Sequence, residues 1–167
     1  MSQSRKIFCD IRKCVACRTC ELACAVEHST TKDLFLAVLE RPRPRRRTFV
    51  SFIARDVSHS LTCQQCEDAP CREACMSGCI SKDEVTGKVD IDRTRCVACW
   101  MCIMTCPFGV ISREVDEKNK AFKCDLCPDR ASPACVDACP TQTLSCETRD
   151  EFLKRIKSED GVIQKKR

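Results

Sequence analysis

The chain has 167 residues, 19 of them cysteine, a formal charge of +5 and only four glycines. So much cysteine means either disulfides in a secreted protein or metal sites in a reducing compartment, and the polar start through Ser4-Arg5-Lys6 points to the second, in the cytoplasm. No apolar run is long enough to span a bilayer, and there is no Gly-x-Gly-x-x-Gly loop, phosphate loop or nucleophile-base pair, so a membrane span, nucleotide binding by those devices and an evident catalytic centre are all excluded.

In chain order, the alternation of Ile7, Cys9 and Ile11 predicts a short strand that leads into Cys14-Val15-Ala16-Cys17-Arg18-Thr19-Cys20-Glu21-Leu22-Ala23-Cys24. Two apolar runs follow, Leu34 to Leu39 and Phe49 to Ile53, both read as strands. Between them lies Arg41-Pro42-Arg43-Pro44-Arg45-Arg46-Arg47, exposed and extended by its prolines and charge. It can be a solvated hairpin tip or a docking segment for an acidic partner; nucleic acid is not favoured, because no aromatics interleave the arginines.

Next comes Cys63-Gln64-Gln65-Cys66-Glu67-Asp68-Ala69-Pro70-Cys71-Arg72-Glu73-Ala74-Cys75, with Pro70 opening a short helix. Ile80 to Lys82 and Val89 to Ile91 predict a hairpin that returns to Cys96-Val97-Ala98-Cys99-Trp100-Met101-Cys102-Ile103-Met104-Thr105-Cys106-Pro107. A second hairpin, Val110 to Arg113 with Ala121 to Lys123 around Asp116-Glu117-Lys118-Asn119, ends at Cys124-Asp125-Leu126-Cys127 and then Cys135-Val136-Asp137-Ala138-Cys139-Pro140. Thr148-Arg149-Asp150-Glu151 is a capping box, and the stripe Phe152, Leu153, Ile156 predicts a helix of about ten residues packed on the body, with Lys165-Lys166-Arg167 frayed beyond it.

The run from Cys96 to Pro107 identifies the metal chemistry. Three cysteines at every third position wrap one iron-sulfur cube, and a fourth, followed by proline, is carried by a short helix to a second, the pattern of bacterial two-cluster ferredoxins. Such a loop turns backbone N–H groups toward the sulfurs and offsets their charge. Zinc would ask for two Cys-x-x-Cys pairs a longer loop apart, with no further thiols at hand. The Cys-Val-Ala-Cys opening recurs at Cys14 and Cys96, an internal repeat, although Ala25 and Met76 stand where Pro107 and Pro140 end the other motifs.

Sixteen candidate ligands result: Cys14, Cys17, Cys20, Cys24, Cys63, Cys66, Cys71, Cys75, Cys96, Cys99, Cys102, Cys106, Cys124, Cys127, Cys135 and Cys139. Cys9, Cys79 and Cys146 are left as small buried fillers, although Cys79 lies close enough in sequence to compete with Cys75. His28 and His59 are expected at the surface or in packing, and Trp100 as a shield for its cluster. With sulfur counted out, the apolar content is thin for a core, so clusters are expected to nucleate the fold and the apo chain to be largely unfolded.

These motifs resemble the four-cluster electron-transfer subunits of the dimethyl-sulfoxide-reductase and formate-dehydrogenase type. Closer still, Cys75-Met76-Ser77-Gly78, Cys99-Trp100-Met101-Cys102, Cys106-Pro107-Phe108-Gly109 and Lys123-Cys124-Asp125-Leu126-Cys127 are similar to the small ferredoxin partners of tungsten aldehyde oxidoreductase and carbon monoxide dehydrogenase. The resemblance covers roughly residues 5–147. It implies four [4Fe-4S] clusters held by exchanged ligands: Cys14, Cys17, Cys20 with Cys139; Cys124, Cys127, Cys135 with Cys24; Cys63, Cys66, Cys71 with Cys106; and Cys96, Cys99, Cys102 with Cys75. The fold expected is α+β, two nested bacterial-ferredoxin-like modules with short hairpins and short helices plus a C-terminal helix. Residues 1–32 and 108–147 form the outer module, 33–60 a hairpin insertion with the basic connector, 61–107 the inner module and 148–167 the final helix and tail.

The function expected is a non-catalytic relay of single electrons from a low-potential catalytic subunit to an acceptor such as a flavin- or NAD-binding protein. All-cysteine ligation places potentials toward the low end of the range of about −700 to +450 mV. By resemblance the catalytic partner is first a tungsten or molybdenum aldehyde oxidoreductase, then carbon monoxide dehydrogenase, formate dehydrogenase or hydrogenase. A further expectation is head-to-tail self-association that joins relays; the alternative from another class is an iron-sulfur redox sensor.

Overall fold

The computed structural model describes residues 4–114 and 119–164, with side chains described as far as Glu159. The first strand, β1 (Lys6–Cys9), stops before Ile11, which is exposed, and α1 (Thr19–Glu27) carries Cys20 and Cys24. The run at Leu34 corrects the expectation of a strand: Leu34–Ala37 is a helical turn, α2. The Asp33 carboxylate accepts the N–H groups of Phe35 and Leu36, both at 2.9 Å, and a local N-cap of this kind outweighs an apolar run that has no clear period.

The next hairpin is therefore not the one expected. β2 (Phe49–Ala54) pairs with β3 (Val57–Leu61) through a tight turn at Arg55-Asp56, and the arginine segment joins α2 to β2 instead of forming a hairpin tip. Beyond it lie α3 (Pro70–Glu73), the hairpin β4 (Ile80–Lys82) and β5 (Val89–Ile91), and α4 (Met101–Thr105). β6 (Ser112–Arg113) and β7 (Ala121–Phe122) form the predicted second hairpin, whose turn residues Asp116, Glu117 and Lys118 lie outside the described residues. The order closes with α5 (Ala134–Asp137), β8 (Leu144–Glu147) and α6 (Arg149–Gln164).

Every sheet among the described residues is a two-stranded antiparallel ribbon, and such ribbons are marginal alone. One of them joins the chain's distant ends. β1 pairs with β8, Ile7 opposite Cys146 and Cys9 opposite Leu144, and α1 packs on α5 beneath it. In the middle of the chain α3 packs on α4 and on β4. Two buried cores result, both rich in sulfur: one gathers Cys79, Cys96 and Cys102 around Ile80, Val89 and Ile111, the other Cys20, Cys63, Cys124 and Cys135 around Ile7, Val110 and Leu144. Neighbours Val110 and Ile111 thus face different cores, and Cys106 packs against both.

The last helix is longer than its apolar stripe suggested, sixteen residues, and begins at the expected box, with Thr148 N–H donating to Glu151 at 2.8 Å. It docks on the β1–β8 ribbon through Phe152 stacked on Phe8 at 4.5 Å, Lys13 on Glu159 at 2.7 Å and Arg155 on Glu147 at 2.8 Å. Lys165, Lys166 and Arg167 lie outside the described residues. Among the described residues no helix is long and apolar enough to cross a membrane.

Candidate functional site

Each of the four cysteine motifs bends its backbone at the same place. The residue before the second cysteine is left-handed in all of them: Ala16 (φ 54°), Gln65 (φ 45°), Ala98 (φ 56°) and Leu126 (φ 64°). None is glycine, so each costs about 1–2 kcal/mol that the surroundings must offset. In the two repeated loops a further left-handed residue, Arg18 (φ 61°) or Trp100 (φ 65°), starts α1 or α4. α4 ends as expected at Cys106, extended ahead of Pro107.

All nineteen cysteines are free thiols, and their sulfurs gather in sets. Burial, then the nearby charges of Cys63, Cys106 and Cys66, push Cys71 up to about 11, and burial with Cys63 and Cys106 raises Cys66. Cys102 is raised by burial and then by Cys96, Cys99 and Cys75. Burial pushes Cys124 up to about 12, with Cys24 adding to it, and Cys135 is raised by burial and by Cys124, Cys24 and Cys127. Cys20, raised mainly by burial, also feels Cys139. The remaining two candidates sit beside this last pair in sequence: Cys14 lies against Cys9, and Cys17 is exposed, its sulfur accepting from Thr19 Oγ1 at 3.4 Å.

The sets also pack together. Cys20, Cys63, Cys124 and Cys135, drawn from three of them, share one core, and Cys71, Cys75 and Cys106 pack against the other, which holds Cys96 and Cys102; Cys106 packs against both. Donors are turned toward the sulfurs, as the loop geometry predicts: Arg47 N–H donates to Cys24 Sγ at 3.2 Å and Thr143 N–H to Cys139 Sγ at 3.3 Å. Sulfur-only sets in strained loops, supplied with N–H donors, fit iron-sulfur cubes. A nitrogen- or oxygen-rich zinc site does not share this donor chemistry.

Several side chains at these sets were not visible in the spacing. Asp125, inside the fourth loop, receives Arg47 Nη1 and, at 3.1 Å, His28 Nε2, while its Oδ1 also accepts from Cys127 N–H at 3.2 Å. His28 Nδ1 donates to the Cys24 carbonyl at 2.7 Å. Burial opposes a charge on His28, yet its hydrogen bonds to Asp125 and Cys24 raise it to about 9; Asp125, against its own burial, is held well below the usual carboxylate range by His28 and Arg47. His28 is therefore half of an ion pair, more than the packing residue expected, whereas His59 fits expectation.

Lys123 is almost fully buried, its ammonium held by the carbonyls of Val89 and Cys124. Gln65 knots the same strand, accepting from Val89 N–H at 2.8 Å. Of the arginine segment, Arg46 pairs with Glu21 at 3.3 Å and covers Phe49, so with Arg47 two of its five arginines are spent on the chain's own α1 and fourth loop. Trp100 packs among Cys75 and Cys102, as a shield would, and Cys9 and Cys146 are half-buried fillers.

Comparison with known proteins agrees with the chemistry of the site. The family model described as a 4Fe-4S dicluster domain matches residues 56–149. The chain is similar to YsaA of Escherichia coli K12 (42% identical over 149 residues, 86% of this chain and 89% of that one) and to the electron transport protein HydN of the same strain (37% over 171 aligned residues, 93% and 94%). It is also similar to the polyferredoxin-like subunit of an aliphatic sulfonate oxidoreductase from Pyrococcus furiosus (36% over 127 residues, 76% and 66%).

Proposed function

Because the chain belongs to the 4Fe-4S dicluster family and is similar to proteins named for electron transport and as an oxidoreductase subunit, we propose that it is the relay subunit of an oxidoreductase complex. It passes single electrons through four clusters, with the ligand sets named above: Cys14, Cys17, Cys20, Cys139; Cys124, Cys127, Cys135, Cys24; Cys63, Cys66, Cys71, Cys106; and Cys96, Cys99, Cys102, Cys75. The observation that carries this is the shared packing of the sets: Cys20, Cys63, Cys124 and Cys135 lie in one core, and Cys106 packs against both it and the core of Cys96 and Cys102, which supports a continuous path with the first and fourth sets at its ends. Pairing of β1 with β8 around the rest supports an outer module of residues 1–32 and 108–147 and an inner one of 61–107.

Once bound, the clusters supply reversible one-electron storage at low potential. The chain's own part is to hold, insulate and bias them. Left-handed turns aim the thiols, Arg47 and Thr143 N–H groups stabilise added charge on Cys24 and Cys139, and Lys123 places a buried cation near Cys71.

The catalytic partner we propose is a tungsten or molybdenum aldehyde oxidoreductase or another low-potential enzyme, with a flavin- or NAD-binding acceptor. The Pyrococcus relative, by name a subunit of an oxidoreductase, supports a large catalytic partner. Anaerobically purified full-length chain tests the relay: about sixteen irons per chain and overlapping electron-paramagnetic signals after dithionite are expected. Zinc, or far less iron, overturns it.

A further inference from the structure

One thiol outside the sixteen lies inside a ligand set. Cys79 is 4% exposed, its Sγ is 3.4 Å from that of Cys75, and it shares one buried core with Cys96 and Cys102. The turn that puts it there is tight: Gly78 is left-handed (φ 61°), and its N–H donates to the Cys75 carbonyl at 3.0 Å. Its backbone is fixed too, because the Cys79 carbonyl accepts from Asp92 N–H at 2.8 Å and Ile80, next in chain, begins β4 in the core.

Two sulfurs this close cannot both cap separate irons of one cube, whose terminal ligands point away from each other. A compact filler has no need to lie sulfur to sulfur against a member of the set. We propose that Cys79 is a reserve ligand for the cluster of Cys96, Cys99, Cys102 and Cys75, able to take the iron that Cys75 holds; this rests on the cluster assignment above.

The exchange balances without oxidant or reductant. Cys79 gives up its proton as its sulfur binds iron, and Cys75 takes a proton as its sulfur leaves. The arrangement has a use, because Cys75 is half-buried, just past α3 and next in chain to Met76, which is 84% exposed, whereas Cys79 is enclosed. The vulnerable ligand is backed by a protected one.

Iron analysis and electron-paramagnetic spectra of anaerobic full-length protein test this. Cys75→Ala is expected to keep wild-type iron and a reducible four-iron signal, and Cys75→Ala with Cys79→Ala to lose iron and show a three-iron signal when oxidised. Equal loss in the single and double variants overturns the proposal. Should Cys75→Ala not fold, Cys79→Ala decides: several-fold faster iron release in air than wild type supports a reserve ligand, and an unchanged rate overturns it. A wild type without its iron defeats the cluster assignment itself, a distinguishable result.

Discussion

The ends of the proposed cluster path and the enclosed set within it are built on opposite principles. At the ends the repeated Cys-Val-Ala-Cys loops leave Cys17 and Cys99 at the surface, and the repeat sets an apolar side chain beside each, Val15 at 63% and Val97 at 64% exposed. In the middle, Cys24, Cys124, Cys127 and Cys135 are all buried, and the His28–Asp125–Arg47 pairings lie over them. For a relay the difference has a simple meaning. Electrons must enter and leave where partners can approach closely, while a central cluster has to be kept from water and from oxidants. Exposed valines suit contact with a partner's apolar surface, and fixed charges suit a site that nothing else touches.

Removing the metal breaks the comparison altogether. With acid and chelator under argon, ends and middle are expected to unfold together, seen as loss of most far-UV circular dichroism, because ribbons of two strands cannot stand without the cubes. Less drastic is a single ligand. Cys135→Ala is expected to lower iron by a whole cluster or more and expose the chain to protease, whereas Cys99→Ala loses about one iron and stays folded; iron analysis with limited proteolysis separates them.

The ionic cover comes next. Asp125→Asn leaves Arg47 and His28 without their anion, and faster iron loss in urea by roughly thirty-fold, about 2 kcal/mol, is expected, less than the ~3–5 kcal/mol for a wholly enclosed pair because both partners keep some exposure. Packing gives a finer contrast: Val110→Ala in the sulfur-rich core is expected to cost about 1–2 kcal/mol, and Val97→Ala within about 0.5 kcal/mol of nothing, in the same urea assay. Between these two lies Thr148→Ala, which removes the Thr148 hydroxyl from the capping box and about 1 kcal/mol from α6, visible as fraying in amide exchange.

Local spacing made much of this protein readable. Thiolates that share a cube must lie a fixed few residues apart, so the motifs, the short helices that follow them and the stop at Cys106-Pro107 were open to inspection, and a capping box announces α6 by its own chemistry. The run at Leu34 was misread because six apolar residues carry no period, and the deciding contact is the carboxylate of Asp33.

Pairings across long separations were beyond the primary structure. Arg47 meets Asp125 from 78 positions away and His28 meets it from 97, and no spacing rule connects them. Composition said that sulfur would dominate the interior. Only the fold decided which sulfurs are enclosed, which charges guard them, and that Cys79 comes to rest against Cys75 in the core that Cys96 shares, because those choices depend on how separate loops pack and not on the order of residues within any one of them.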